Sequence, residues 1–143
     1  MTYVTKQGLI ERFGERELIE LTDRVNRPVS TIDDVTVERA IGDASAFADG
    51  YLKKVLALPL SVVPPVLEKN VADIARYYLH GKAAEKDNPV TRAYNEAVAF
   101  LRDVSRGLVE LSADGETPAA AGGGQVRKEA PARVFTRDSL RSL

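Results

Sequence analysis

The amino-acid sequence predicts an all-α fold, a small bundle of about five helices followed by a flexible C-terminal tail. Three observations carry this reading. Apolar residues recur at three- and four-residue spacings through three long segments. Nothing in the first 110 residues alternates with period two for long enough to require a strand, although VSTI and RGLVEL could extend locally. At residue 112 the composition turns to Gly, Ala and Pro, with almost nothing large and apolar to bury.

The first element is two short helices in tandem. Thr5 is placed to cap one with Leu9, Ile10 and Phe13 on its apolar side, and Gly14 suits the left-handed position that ends it. Glu15 to Leu21 forms the other, with Leu18, Ile19 and Leu21 turned inward. Residues 23–34 hold a proline, an asparagine and small polar residues and read as a long loop, of a length that tends to be functional or mobile. The third helix is expected to begin near Thr36 as cap. It places Val37, Ala40, Ile41, Ala44, Phe47, Ala48, Tyr51, Leu52 and Val55 along one face. A fourth runs from about Pro65 to Leu79, with Leu67, Val71, Ile74, Ala75, Tyr78 and Leu79 inward and Gly81 as terminator. Asn88 caps a fifth that carries Ala93, Tyr94, Ala97, Val98, Leu101, Val104 and Leu108.

Between the third and fourth helices stands ALPLSVVPP. Pro59, Val62, Val63, Pro64 and Pro65 make a stiff joint, because proline fixes one backbone angle and is tolerated in a helix's first turn. The expectation is that it stops one helix, starts the next, fixes their crossing angle and lies at a subunit or partner contact. The division into units follows from composition: a helical domain over 1–111, a Gly/Ala/Pro-rich linker over 112–132 and a docking peptide over 133–143. In that peptide Val134, Phe135, Leu140 and Leu143 alternate with Arg133, Arg137 and Arg141, the pattern of a short partner-binding motif.

Charge and residue inventory exclude several functions. The 143 residues carry a net charge of −1, so no global basic field draws the protein to nucleic acid or anionic membrane. Residues 1–111 hold 15 basic and 17 acidic side chains, and the remainder 5 and 4. There is no cysteine, which removes disulfides, thiolate catalysis and cysteine zinc sites. No apolar run approaches a membrane span, and no basic-then-apolar leader opens the chain, so the expectation is a soluble protein.

The candidate sites resolve toward structural roles. His80, the one histidine, sits at a helix end where a cation favours the dipole. The pairs Asp33–Asp34 and Glu15–Glu17 read as capping and solvated acids. The window from Asp23 to Asp34 has the length of a calcium loop, but it lacks the required third-position oxygen, sixth-position glycine and final glutamate. The GGG at 122–124 has neither the strand nor the lysine of a phosphate loop. Tyr77 and Tyr78 suit core or subunit contact better than base stacking. The expectation is therefore no catalytic, cofactor or metal residue, and no enzyme.

Four separated stretches, GLIERFGERELIELTDR, ADGYLKKV, LPLSVVPPVLEKNVADIARYYL and AVAFLRDVSRGLVEL, together resemble the small virion proteins of Mu-like tailed phages. That family is similar to the head-to-tail connector or adaptor proteins of long-tailed phages, also called head completion proteins. RVFTRDSLRSL resembles the endings of some members, whereas members often have RYPLPL where this chain has KVLALPL. The resemblance implies a structural virion protein at the head-tail junction, made in the host cytoplasm. It further implies a ring of about twelve copies beneath the portal protein. Such a ring extends the DNA channel without sequence-specific binding and offers a surface to the next tail or stopper component. The competing reading is a small helical DNA-binding or regulatory module with a helix-turn-helix in the first two helices. GERELIELTDR argues against it, being rich in acids where a recognition helix wants Arg, Lys, Asn or Gln.

Overall fold

The computed structural model describes residues 1–81 and 84–111. Among these it contains five helices and no strand: α1 (Lys6–Phe13), α2 (Glu15–Thr22), α3 (Asp34–Leu52), α4 (Pro65–His80) and α5 (Pro89–Ser105). The caps of α1, α4 and α5 are those the sequence requires. Thr5 accepts a hydrogen bond from the Gly8 amide, Asn88 accepts from the Val90 amide, and Pro65 and Pro89 occupy first-turn positions whose amides would lack partners anyway. Gly14 separates α1 from α2 at φ 90°, in a region that L side chains rarely enter.

Three boundaries differ from expectation. The third helix begins at Asp34, because Asp33 is the better cap: its carboxylate takes the Val35 amide and the Thr36 hydroxyl. Those bonds, the Thr36 hydroxyl first, hold the Asp33 carboxyl below the usual carboxylate range. The same helix ends at Leu52, so Val55 lies beyond it and is exposed. The fifth ends at Ser105, where Gly107 turns the chain at φ 74°, and Leu108 points to solvent instead of continuing the apolar face.

α4 is the centre of the bundle. Leu67, Val71, Ala72, Ile74, Ala75 and Leu79 are all buried, so apolar residues cover nearly half of its circumference, and it packs against each of the other four helices. α3 meets it through Val37, Ala40, Ile41, Ala44 and Ala48, whose small side chains permit close approach. α5 closes the other side with Ala97, Leu101 and Val104.

α3 and α4 run in the same direction. The first turn of α1 touches the first turns of both: Lys6 pairs with Asp34, and a Cβ on Gly8 would stand 3.4 Å from the Glu68 carboxylate. At the opposite end Tyr77 and Tyr78 from the last turn of α4 gather around Tyr94 of α5, near enough to Tyr51 in the last turn of α3 for it to help raise the pKa of the Tyr78 and Tyr94 hydroxyls after burial. The connection over residues 53–64 must therefore travel back along α4, a distance of about 20 Å at 1.5 Å per helical residue. The proline segment is thus a return strap laid along the bundle, longer than a joint that only stops one helix and starts the next.

The residues before α1 are also fixed. Tyr3 and Val4 are buried, the Tyr3 amide donates to the Ser45 hydroxyl, and the Tyr3 phenol donates to Asp49. Burial, with Asp49 beside it, raises the Tyr3 hydroxyl pKa well above the ordinary phenol value. Among the described residues no helix is long and apolar enough to cross a membrane.

Candidate functional site

The strap is fastened at two points. Leu60 and Pro64 are buried, and Leu56, Leu58 and Val63 pack half-buried against the core. Between and beside these anchors other residues turn outward. Pro59 and Pro65 are exposed and Val62 is 55% exposed, as is Val66 just inside α4 at 44%. Of the five joint residues singled out from sequence, Pro64 and Val63 thus serve the bundle, while Pro59, Val62 and Pro65 face solvent. The tail residues Arg133, Val134, Phe135, Arg137, Leu140 and Leu143 lie outside the described residues.

The structure adds a polar constellation that sequence spacing could not reveal. Glu17 on α2 receives both arms of Arg76 on α4, at 2.6 Å from Nε and 2.9 Å from Nη2, and His80 Nε2 lies 3.3 Å from the same carboxylate. The Arg76 guanidinium also sits 4.5 Å above the Phe13 ring of α1. Burial alone would raise the Glu17 pKa, but the hydrogen bonds from Arg76 and His80 outweigh it and hold the carboxyl below its ordinary value. These groups line an open cleft of about 590 Å³ that reaches Pro89 and Val90 at the start of α5. A carboxylate held ionised by a bidentate arginine is a poor proton acceptor, so the cluster is suited to clamping α1 and α2 onto α4. His80 contributes to this clamp, beyond the helix-end role expected of it.

A second organised feature is the loop between α2 and α3. Asp23 is buried and accepts hydrogen bonds from the amides of Val25, Asn26, Ser30 and Thr31 and from the Asn26 side chain. The Thr22 hydroxyl takes the Asp33 amide and closes the loop. The window that matched a calcium loop in length therefore spends its first carboxylate on its own backbone. Among the described residues no three His, Cys, Asp or Glu side chains come together as a metal site.

The Ser30 and Asn26 amides are the largest of the influences that hold the Asp23 carboxyl far below its normal range. A carboxyl lowered on folding contributes stability above its unfolded pKa and loses it as pH falls toward the folded value. The loop is accordingly expected to loosen below about pH 4, the ordinary aspartate range. Asp23→Asn should remove this acid limb, because asparagine has no carboxyl to protonate. Hydrogen exchange at the Ser30 and Thr31 amides between pH 2 and 7 measures it; equal pH profiles in both proteins would refute the assignment.

Tyr77 and Tyr94 stack with ring centres 4.1 Å apart, and Tyr78 lies 6.2 Å from Tyr94. Tyr77, off the apolar stripe in sequence, is thereby half-buried against α5. Its face is taken by another ring, as the reading against base stacking expects.

The family model described as Bacteriophage Mu, Gp36 matches residues 3–128 of the chain. Gene product J of Escherichia phage Mu is 34% identical over 140 residues, which span 96% of each chain. Mu-like prophage FluMu protein gp36 of Haemophilus influenzae is 30% identical over 143 residues, 99% of this chain and 97% of that one. The similarity to both relatives thus runs through the helical body and into the final segment.

Proposed function

Because the chain belongs to the Bacteriophage Mu Gp36 family, we propose that it is a structural protein of a Mu-like phage particle, a head-to-tail adaptor. Copies of it form a ring beneath the portal, extend the DNA channel and link the capsid to the next tail component. The observation that carries this reading is the strap: anchored by buried Leu60 and Pro64, it holds Val62 outward on a rigid support, with Val66 beside it. A fixed segment presenting apolar residues to solvent is suited to contact with another protein. The protein carries out no turnover in this reading, and its polar cluster is committed to holding helices together. A body of net charge −2 lets DNA pass without adhering.

The test is the mass of the purified full-length protein in solution, alone and mixed with its matching portal. A large symmetric complex that forms with portal is the expected result. A monomer that ignores portal but shifts labelled duplex DNA would replace the adaptor with the helical DNA-binding module.

A further inference from the structure

Eight large apolar side chains are exposed among the described residues, and six of them gather at one end of the bundle. Val35 and Val66 are the second residues of α3 and α4, whose starts share that end, and Val62 lies three residues before α4. Val25 and Val29 belong to the loop that Thr22 and Asp23 close onto the start of α3. α5 runs antiparallel to α4 from the Tyr77–Tyr94 stack, so its last turn comes level with Val66, and Leu108 follows at 71% exposure. The opposite end carries Lys53, Lys54 and the mutually packed tyrosines.

The described chain leaves the bundle at this apolar end, through Val109 and Leu111, which pack against the core. Beyond it stand 32 residues whose only large apolar side chains after Val126 are Val134, Phe135, Leu140 and Leu143. We propose that this end of the bundle is the seat for residues 133–143 of a neighbouring copy of the same chain.

Length and charge choose that occupant. The 21 residues from 112 to 132 can span up to about 70 Å when extended, whereas the longest helix, α3, measures only about 28 Å. Folding back onto the end from which it departs needs a few residues; a connection more than twice the length of the body suits a neighbour. The segment brings three arginines against one aspartate, and the body it would meet has a net charge of −2. Glu38 and Glu110 are exposed near this end and form no ion pair among the described residues. Phe135 would supply the aromatic anchor and the valines its surroundings. This inference deepens the ring reading by naming the contact that joins one copy to the next.

The native absence of cysteine makes the test clean. Full-length chains carrying Val62→Cys are mixed with full-length chains carrying Ser139→Cys, and disulfide formation is followed under mild oxidation. The expected result is an interchain product on the order of tenfold above that with Lys54→Cys at the opposite end, lost when Phe135→Asp is added. All four positions are surface or terminal, so the fold tolerates them. Equal products at 54 and 62, no product, or a disulfide forming only within one chain that bears both cysteines would overturn the proposal. A portal-bound ring without the cross-link would sink this contact and leave the adaptor; the cross-link without portal binding would do the reverse.

Discussion

Ile74→Ala is expected to destabilise the protein by about 2–5 kcal/mol, the range for emptying a fully buried large aliphatic position. Ile74 is completely buried in α4, the helix against which every other helix packs. The helix that carries it is itself held on several sides. Tyr77 stacks on Tyr94, Arg76 is clamped to Glu17, and Pro64 pins the strap, so the site has little freedom to collapse around the missing atoms. A cavity that stays open costs the transfer energy of the lost methylenes and also the contacts of its lining. Against a total stability of about 5–15 kcal/mol for a domain of this kind, the loss is a large fraction. It corresponds to a melting temperature lower by on the order of 10 °C. Val62→Ala is the control: its side chain is half in water, and its change should stay within about 0.5 kcal/mol. Thermal unfolding followed by circular dichroism decides the matter. Equal losses at the two positions would mean that α4 is not the centre of the packing.

Helix identity was legible because it is a local property. Thr5, Gly14, Pro65, Gly81 and Asn88 act on amides within four residues of themselves, so reading them in order yields caps and stops that the structure repeats. The third helix was misplaced at both ends for local reasons as well. Thr36 and Asp33 are both good caps three residues apart, and only the bond between them shows which serves the other. Val55 continues the apolar spacing after Leu52, but the chain has already left the helix to begin its return. Direction was not legible at all. A proline-rich joint between two helices reads as a stop and a start, and only the meeting of the first turns of α3 and α4 at α1 reveals that the joint runs the length of the bundle. The Glu17–Arg76–His80 clamp is hidden for the same reason: 59 residues separate the carboxylate from the guanidinium, and no periodicity relates them. Asp23 stands between these cases. Its place at the head of residues 23–34 puts it in a loop, but the reach of one carboxylate to Ser30 and Thr31 depends on how that loop folds.

Ending the chain after Leu111 is expected to leave the helical body as stable as before and to abolish its assembly. The first half follows from where the core closes. Val104 is buried, and Val109 and Leu111 are the last of the described residues packed against the cluster, so the shortened chain keeps every contact described among α1 to α5 and all of the strap's anchors. Its melting temperature should match that of the full chain closely, which a circular dichroism melt checks. The second half follows from what is removed: Phe135, Leu140, Leu143 and all four arginines of residues 112–143, three of them in the docking peptide. If each copy in a ring holds its neighbour by one such peptide, every contact in the ring weakens at once. Attachments linked in this way can lose a factor of about 10²–10⁴ in apparent affinity. Sedimentation of the two chains with portal reads the result directly. Phe135→Asp in the full chain should reproduce most of the loss, because a charge in place of the aromatic anchor opposes burial while leaving the length unchanged. Two outcomes would count against the docking peptide. If the shortened chain assembles as well as the whole one, the helical body alone makes the ring contacts, and the exposed valines meet another copy's body. If it unfolds at a lower temperature, residues 112–143 belong to the bundle that they leave, and the division of the chain at Leu111 is wrong.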